Sequence, residues 1–245
     1  KHVTGKIYVD NIMEPHTFYV IHPYGISLLF GDHKNVEFNS RFKSYALNID
    51  NIRNKHEWIQ TYPREWDTVL QDLFGSLMIK FSENTENITN GVIELNTRVN
   101  FIFNRDKYLQ LEKSVHSSND KIVDTDTLHF ERMQGSVIPL KFWDSAKDFI
   151  QKGKGFTLLH NGEIASTAYS AYVHGNLLEI GIETVEKYRG FGFAELTCCK
   201  IIDYCLERAL IPVWSCRFEN TASYKLAQKL GFEPVAMIPF YRLSN

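Results

Sequence analysis

The chain lacks several features that would assign a function at once. Its 245 residues contain four cysteines and no run of 18 apolar residues. Lysine plus arginine (27) nearly balance aspartate plus glutamate (29), which gives a formal net charge of −2. Without a basic excess we expect no binding to a nucleic-acid backbone. Without a long apolar run we expect no membrane span and no membrane partner.

The cysteines also argue against two kinds of site. A disulfide framework would spread them through the loops, and a zinc site would need paired spacing. No His-Glu-x-x-His motif follows His56, so no metal site is predicted. Three of the cysteines fall in one predicted helix, at or beside apolar positions, so we interpret the thiols as reduced core residues of a cytoplasmic protein. All four lie late in the chain, at Cys198, Cys199, Cys205 and Cys216.

The segment Thr184–Ala194, T-V-E-K-Y-R-G-F-G-F-A, carries the main functional signal. A short apolar run precedes it, and apolar residues at helical spacing follow it, so a strand, a glycine turn and a helix are predicted. Free N–H groups and the positive end of the helix dipole favour phosphate at such a turn. Gly190 and Gly192 would allow the backbone to approach a ligand closely.

Two nucleotide motifs do not fit this turn. The dinucleotide fingerprint G-x-G-x-x-G would need a third glycine where the chain has Glu195. The Walker pattern needs G-K-[ST], which does not occur. The remaining pattern is R-x-x-G-x-A, with Arg189, Gly192 and Ala194 at its fixed positions. A glycine turn alone is equally typical of a connection that binds nothing.

That pattern resembles the acyl-CoA pyrophosphate loop of the GNAT N-acetyltransferase superfamily, whose signature is [QR]-x-x-G-x-[GA]. A second block, N-T-A-S-Y-K-L-A-Q-K-L-G-F at Asn220–Phe232, is similar to the family's later motif N-x-x-A-x-x-L-Y-x-x-x-G-F. Three segments resemble most closely the zwittermicin A resistance protein-like branch of this superfamily. They are E-T-V-E-K-Y-R-G and, upstream of it, E-W-I-Q-x-Y-P-x-x-W and T-R-V-N-F.

The resemblance implies an acetyl-CoA-dependent N-acetyltransferase that acts on a primary amine of a small molecule in a ternary complex. In the zwittermicin branch that amine could belong to an aminopolyol antibiotic. Main-chain groups of Ile182 and Thr184 would bind the pantetheine arm. An oligomer is compatible with the sequence, which indicates no particular state. The implied cofactor-binding residues are Ile182, Thr184, Arg189, Gly190, Phe191, Gly192, Phe193, Ala194, Asn220 and Ser223.

Glu179 and Glu183 are the predicted catalytic bases. They lie on one face of a strand, two residues on either side of Gly181. Carboxylates in a strand of Leu and Ile need a reason, and one is the removal of a proton from the ammonium substrate. The alternative is a polar strand face without proton transfer. Gly181 could mark a bulge that opens the strand edge or merely accommodate packing.

The later motif departs from the family at one position. The tyrosine that commonly serves as general acid is replaced by Ala227, so Ser223, Tyr241 or water could protonate the leaving sulfur. This departure keeps open a CoA-binding module without turnover, and an enzyme acting on protein amines is a further alternative. Asn220 could cap the helix 222–230, contact pantetheine, or do both. Arg189 could bind phosphate or pair with a surface carboxylate, and Trp214 is expected in the core with Phe232.

The predicted fold class is α/β (α+β), a mixed, mostly antiparallel sheet flanked by helices, with an additional N-terminal α/β domain. We expect domains at 1–127 and 128–245, because the polar stretch Ser117–Thr127 resembles a linker. The first domain could be a diverged copy of the second or contact substrate. Further expected elements are strands at Tyr19–Ile21, Ile26–Phe30, Val99–Phe103 and Pro212–Phe218, helices at Trp66–Leu73 and Arg105–Val115, turns at Asn84–Gly91 and Asn161–Gly162, and strands at 155–160, 163–174 and 177–184.

Overall fold

The computed structural model describes residues 3–81, 91–112 and 119–244. The chain forms two compact units. The N-terminal unit comprises described residues of 4–98 together with 217–219 and 237–244. The C-terminal unit comprises those of 99–216 and 220–236, together with Val3.

The N-terminal unit is a sheet with two helices. Strands β1, β2 and β3 are antiparallel neighbours, and β3 runs parallel to β4 after the crossover helix α1. The later strands β13 and β6 continue the sheet order after β4, and β5 pairs with β6. Its elements are β1 (Lys6–Val9), β2 (Thr17–Ile21), β3 (Ile26–Gly31), α1 (Val36–Ala46), β4 (Glu57–Tyr62), α2 (Trp66–Phe74), β5 (Met78–Lys80), the first part of β6 (Ile93–Phe103) and the last part of β13 (Phe232–Leu243).

Helix α1 shows how local sequence builds this unit. The side chain of Asn35 caps the helix by accepting a hydrogen bond from the Phe38 N–H. Phe38, Phe42 and Ala46 recur every four residues and are all buried. They pack in one cluster with Trp66 and other residues of the sheet and of α2.

The C-terminal unit contains a second sheet with the strand order β11-β10-β9-β8-β7. Strands β7 to β10 are antiparallel, and β11 runs parallel to β10. The β8–β9 hairpin turns at Asn161 and Gly162, both at positive φ (51° and 82°), as a two-residue hairpin turn requires. The further elements are α3 (Arg105–Leu109), β7 (Asp120–Asp124), α4 (Thr127–Arg132), α5 (Ala146–Lys152), β8 (Gly155–His160), β9 (Glu163–His174), β10 (Leu177–Thr184), α6 (Phe193–Glu207), β11 (Ile211–Val213), β12 (Ser215–Arg217) and α7 (Thr221–Lys229).

The core of this unit lies between α6 and one face of the sheet. Cys198, Ile201, Ile202 and Cys205 are completely buried on the inner face of α6. They pack with Trp214, Phe232 and apolar residues of β10, so the expected core positions of the two aromatic residues are confirmed. All four cysteines are buried and free, which confirms their interpretation as core thiols.

The fold class is confirmed as mixed α/β, with mostly antiparallel sheets flanked by helices. The strands expected at Tyr19–Ile21, Ile26–Phe30 and Val99–Phe103 are present, as are the hairpin strands and β10. The strand expected at Pro212–Phe218 is interrupted, because β11 and β12 belong to different sheets on either side of Trp214. The helix expected from Arg105 to Val115 ends at Leu109.

The expected linker was wrong in part. Within it, Asp120–Asp124 form β7, which pairs along its whole length with β8. Ile122 packs against the core of the unit, which explains why this polar stretch is ordered as an edge strand. The turn expected at Asn84–Gly91 lies outside the described residues, apart from Gly91 itself.

The bounds of the compact units differ from those of the predicted domains. Residues 99–112 and 119–127 belong to the C-terminal unit, because β6 carries residues of both units and β7 joins the second sheet. A division of function between residues 1–127 and 128–245 stays a prediction.

The order of elements in the two units is similar. In the N-terminal unit the β2–β3 hairpin is followed by α1, the parallel strand β4, α2, the short strand β5 and then β6. In the C-terminal unit the β9–β10 hairpin is followed by α6, the parallel strand β11, the short strand β12, α7 and then β13. The two series differ in the place of the short strand, which follows the second helix in one unit and precedes it in the other. No repeated motif in the sequence indicates this correspondence.

The buried cysteines lead to a testable prediction. Burial raises the pKa of Cys198 well above its ordinary value and that of Cys205 to about 12. Because the thiolate is the reactive form, none of the four thiols should react with Ellman's reagent within minutes at pH 8 in the native protein. All four should react after unfolding in guanidinium, and rapid native labelling of any of them would contradict this packing.

Candidate functional site

Strand β10 changes its pairing halfway along its length. On one side it pairs with β9 from Leu177 to Thr184. On the other side β11 pairs only with Leu177, Leu178 and Glu179. Among the described residues, no strand pairs with the Ile180–Thr184 part of that second edge. This part of β10 therefore presents main-chain groups to a potential ligand.

The direction of those groups follows from one hydrogen bond. The Val185 N–H donates to the Ala165 carbonyl on the side of β9, at 2.9 Å. Backbone N–H groups alternate between the two sides of an antiparallel strand. The N–H groups of Thr184, Ile182 and Ile180 therefore point to the unpaired edge. Two of these residues, Ile182 and Thr184, are predicted pantetheine contacts.

Gly181 is required by close packing. A Cβ atom at this position would lie 2.5 Å from the ring of Tyr169, a residue that is completely buried. The irregularity in the ladder lies one step earlier, between Glu179 and Ile180, where Ala171 of β9 has no opposite residue. The packing interpretation of Gly181 is thus supported, while a bulge does exist beside it.

The glycine turn leads from β10 into α6. Gly190 and Gly192 have φ values of +85° and +82°, and a Cβ at either position would meet no atom within 4 Å. Backbone conformation, not crowding, therefore calls for glycine. Gly192 is the N-cap of α6 and supplies no side chain to bond the N–H groups of the first turn. Those donors and the helix dipole form a place for an anion.

The side chains of this turn point in different directions. Phe193 is buried and packs with Leu158 and Leu196, which fixes the start of α6. Phe191 is 63% exposed and stacks on Phe193, with their ring centroids 5.6 Å apart. Ala194, in the first turn of α6, is half-buried. The turn thus has a fixed base beneath an open backbone surface.

Arg189 lies where β10 and the glycine turn meet. Its side chain is 63% exposed, and its Nε donates a long hydrogen bond of 3.4 Å to the Thr184 carbonyl. A terminal nitrogen lies 3.7 Å from Glu183 Oε1. An exposed guanidinium with one loose carboxylate contact remains able to reorient towards a phosphate.

The two predicted bases have different surroundings. Glu183 is 9% exposed, and its Oε2 accepts hydrogen bonds from the N–H groups of Ser136 (2.8 Å) and Val137 (2.7 Å). Glu179 is half-buried beside the ladder irregularity and accepts a hydrogen bond of 2.9 Å from the Ser215 hydroxyl. No sequence signal indicates the Glu183 contact, because its partners are more than 40 residues away in the chain.

Helix α7 carries the second predicted block. Asn220 Oδ1 accepts from the Ser223 N–H at 3.2 Å, which confirms the capping role of Asn220. The Ser223 hydroxyl in turn accepts from Trp214 Nε1 at 3.2 Å. Lys229, at the other end of α7, pairs at 2.5 Å with Glu195 in the first turn of α6. Sequence analysis missed this ion pair, which links the two helices of the motif blocks.

The position at which the family commonly has a tyrosine has no space for one in this chain. Ala227 is completely buried in the core cluster, so a phenol there would need the core to be repacked. Tyr224 packs on Phe101, with their ring centroids 5.5 Å apart. Tyr241, in the N-terminal unit, is buried and donates its hydroxyl to Asp67 at 2.7 Å. Burial above all, and then this hydrogen bond, raise the pKa of Tyr241.

The unpaired edge of β10, the glycine turn and the uncapped start of α6 fit an elongated ligand with amides and a diphosphate. Among the described residues, no three His, Cys, Asp or Glu side chains are grouped as metal ligands. None of the helices they form is long and apolar enough to span a bilayer.

The chain belongs to the GNAT acetyltransferase family, whose model matches residues 1–241, and it is an acetyltransferase of that family. Enzymes of this family generally use acetyl-CoA and an acceptor. A relative from Bacillus subtilis (strain 168), the uncharacterized N-acetyltransferase YdfB, is 27% identical over 245 residues. That match covers 98% of this chain and 85% of the relative.

Solved structures share the fold. The GCN5-related N-acetyltransferase-like protein from Streptococcus suis 89/1591 has a TM-score of 0.70 at 21% identity, with 98% of this chain and 88% of that chain covered. A tandem GNAT protein from the clavulanic acid biosynthesis pathway has a TM-score of 0.57 at 9% identity, with coverage of 96% and 80%. At these identities the likeness concerns the fold alone.

The Asn220 cap can be separated from any ligand contact. Asn220→Ala should lower the free energy of unfolding by about 1 kcal/mol, because the Ser223 N–H loses its acceptor. Asn220→Asp should retain most of that stability, since a carboxylate caps equally well. Chemical denaturation of both variants measures this. Equal losses for alanine and aspartate would contradict a capping role.

Proposed function

We propose that this chain transfers the acetyl group of acetyl-CoA to a primary amine of a small molecule, by direct attack in a ternary complex. The observation that carries the proposal is the unpaired second half of β10, which leads directly into the uncapped N-terminus of α6. The first feature suits the amides of pantetheine, and the second suits the diphosphate.

In this proposal each part of the coenzyme has its own binding residues. Backbone N–H groups from Gly190 to Ala194 bind the diphosphate, and Arg189 turns towards it. The N–H groups of Thr184 and Ile182 bind the pantetheine arm as an added strand would. From Thr184 back to Ile180 the strand extends about 13 Å. The thioester then lies near Ile180, at the ladder irregularity. Asn220 and Ser223 contact the arm from α7.

Glu179 is the base in this arrangement. Acetyl-CoA supplies an acetyl group activated as a thioester. Glu179 accepts a proton from the ammonium substrate, directly or through water, and the free amine nitrogen bonds to the carbonyl carbon. The Ile180 N–H donates to the carbonyl oxygen as it gains negative charge. The C–S bond then breaks, and the sulfur leaves with its electron pair. The nitrogen, which became positively charged when it attacked, loses its second proton to water or, by relay, to the departing sulfur.

Protonation of the sulfur needs no tyrosine. A thiol with a pKa of about 8.5 that leaves as thiolate at pH 7 costs about 2 kcal/mol relative to the protonated product. Enzymes lower barriers by about 8 kcal/mol or more, so this cost is small. Water or the Ser223 hydroxyl can deliver the proton.

The cysteines favour direct attack over a covalent acyl-enzyme. A cysteine nucleophile needs a lowered pKa and access to substrate. Here all four thiols are buried, and burial raises the pKa of Cys198 and Cys205. Such thiols also suit a reducing compartment, and we place the enzyme in the cytoplasm.

The acceptor is proposed from the sequence segments that resemble the zwittermicin A resistance protein-like branch. This resemblance favours an aminopolyol antibiotic or a similar primary amine. The N-terminal unit is proposed to be a diverged copy of the same fold, because its order of elements matches that of the C-terminal unit. The name of the tandem GNAT relative is consistent with such a duplication.

A second candidate function is CoA binding without turnover. It is favoured by the complete burial of Ala227, which leaves no room for the usual general acid. Thiol-release assays on a panel of amines would separate it from the enzyme.

The phosphate site is tested by matched charge variants. Gly192→Glu should weaken acetyl-CoA binding at least about tenfold, because a carboxylate would repel the diphosphate. Gly162→Glu is the control, since Gly162 has the same φ of +82° and equally open surroundings. Gly162→Glu should cause the same backbone strain and leave the affinity for acetyl-CoA unchanged. Calorimetry measures both, and absence of wild-type affinity at millimolar acetyl-CoA would refute the proposal.

The base is tested by Glu179→Gln. The variant should lower kcat by a factor of about 10² to 10⁴, with little change in the KM for acetyl-CoA, because general-base catalysis contributes this much. Its activity should recover as pH rises and more of the amine becomes free base. Steady-state kinetics across pH 6–10 would measure this. A kcat within about threefold of wild type would exclude Glu179 as the base.

A further inference from the structure

We propose that Glu183 is a positioning residue that fixes the segment Gly135–Val137 as a wall of the acceptor side of the site. This inference rests on the proposed function, which places the thioester near Ile180 and the base at Glu179. It gives Glu183 a role other than proton transfer, and it gives the segment a function that no motif indicates.

The contact between Glu183 and this segment is dense. Oε2 accepts hydrogen bonds from two consecutive backbone N–H groups, those of Ser136 and Val137, and a weaker one of 3.3 Å from the Ser136 hydroxyl. At Gly135 the φ is +144°, and a Cβ there would lie 2.5 Å from the Glu183 side chain. Any other residue would be strained at this φ and would have to displace the Glu183 side chain.

The opposite side of the segment is also held. Lys141 Nζ donates to the Ser136 carbonyl at 3.0 Å and to the Gly135 carbonyl at 3.4 Å. The N–H groups of the segment are thus bound by an anion and its carbonyl groups by a cation. A segment without regular secondary structure gains a defined conformation from these two charged side chains.

These contacts leave Glu183 poorly suited to receive a substrate proton. Three donors converge on Oε2, and Oε1 lies 3.7 Å from the Arg189 guanidinium. The side chain is only 9% exposed. Once Arg189 turns towards the diphosphate, an ammonium substrate would still have to reach Oε1 of this nearly buried side chain or displace a donor from Oε2. Glu179 has a more open setting, with a half-buried side chain that accepts from Ser215.

The position of the segment gives it a function. Side chains two residues apart share a strand face, so Glu179, Gly181 and Glu183 lie on the same face of β10. The amine must approach the thioester from the face that carries its base. The segment held by Glu183 borders that face. Its loss of order should therefore weaken acceptor binding more than it slows the chemical step.

Two variants of Glu183 test this on the full chain. Glu183→Gln keeps an oxygen that accepts the two N–H groups, whereas Glu183→Ala removes the acceptor. Hydrogen exchange of the Ser136 and Val137 amides, measured by NMR or on peptides covering 134–138, should rise about tenfold or more in the alanine variant. In the glutamine variant it should stay close to wild type. The control Glu233→Ala removes a half-buried carboxylate that pairs with Lys107 and accepts from Asn104, and it should change neither amide.

Kinetics provide the second readout. In Glu183→Ala the KM for the amine should rise about tenfold, with a smaller change in kcat, and Glu183→Gln should restore most of it. The acid limb of the pH profile should keep its wild-type position in Glu183→Gln. In Glu179→Gln it should move to higher pH, because only amine that is already free base then reacts.

Several results would overturn the proposal. A loss of kcat above about a hundredfold in Glu183→Gln, with the acid limb moved to higher pH, would make Glu183 the base. Unchanged exchange in a folded Glu183→Ala would remove the anchoring role. If the wild-type protein does not bind acetyl-CoA, the proposed function and the acceptor-side role fail together, while the exchange data still decide whether Glu183 anchors the segment.

Discussion

The loss of a partner strand beyond Glu179 is the constraint on which the chemistry of the C-terminal unit depends. Strand β10 continues for five more residues, held on one side by β9, while β11 no longer pairs with its other edge. Buried strand edges normally find hydrogen-bond partners, because unpaired peptide groups are costly. The same strand then ends in a glycine turn and a helix without a side-chain cap. A ligand with amides at one end and a diphosphate at the other satisfies both sets of donors.

The N-terminal unit has a similar order of elements, but its strand β3 does not lose its partner strand as β10 does. There β3 pairs with β4 over Ile26–Phe30, so the corresponding strand has partners along its length. The corresponding helix α1 is capped by the side chain of Asn35. Neither the open edge nor the free helix terminus is present in residues 26–62. Similar topology therefore does not by itself imply a second coenzyme site.

Much of this site could be predicted from the sequence because its determinants are local. Gly190 and Gly192 predict the positive φ angles of the turn. The helical spacing of apolar residues from Cys198 to Cys205 predicts the buried face of α6. Contacts distant in sequence leave no such pattern. The anchoring of Ser136 by Glu183, the pairing of Asp120–Asp124 with β8 and the closeness of Gly181 to Tyr169 all arise from tertiary packing. The predicted linker was wrong at Asp120–Asp124 for that reason, since strand pairing outweighed the polar composition of this stretch.

A crystal structure of the protein with CoA bound would test the central claim most directly. Our account predicts the diphosphate within hydrogen-bond distance of the backbone N–H groups between Gly190 and Ala194. It also predicts the pantetheine amides along the edge of Ile180–Thr184, with the sulfur near Glu179. CoA bound at another place, with this edge filled by the protein's own side chains, would contradict the account.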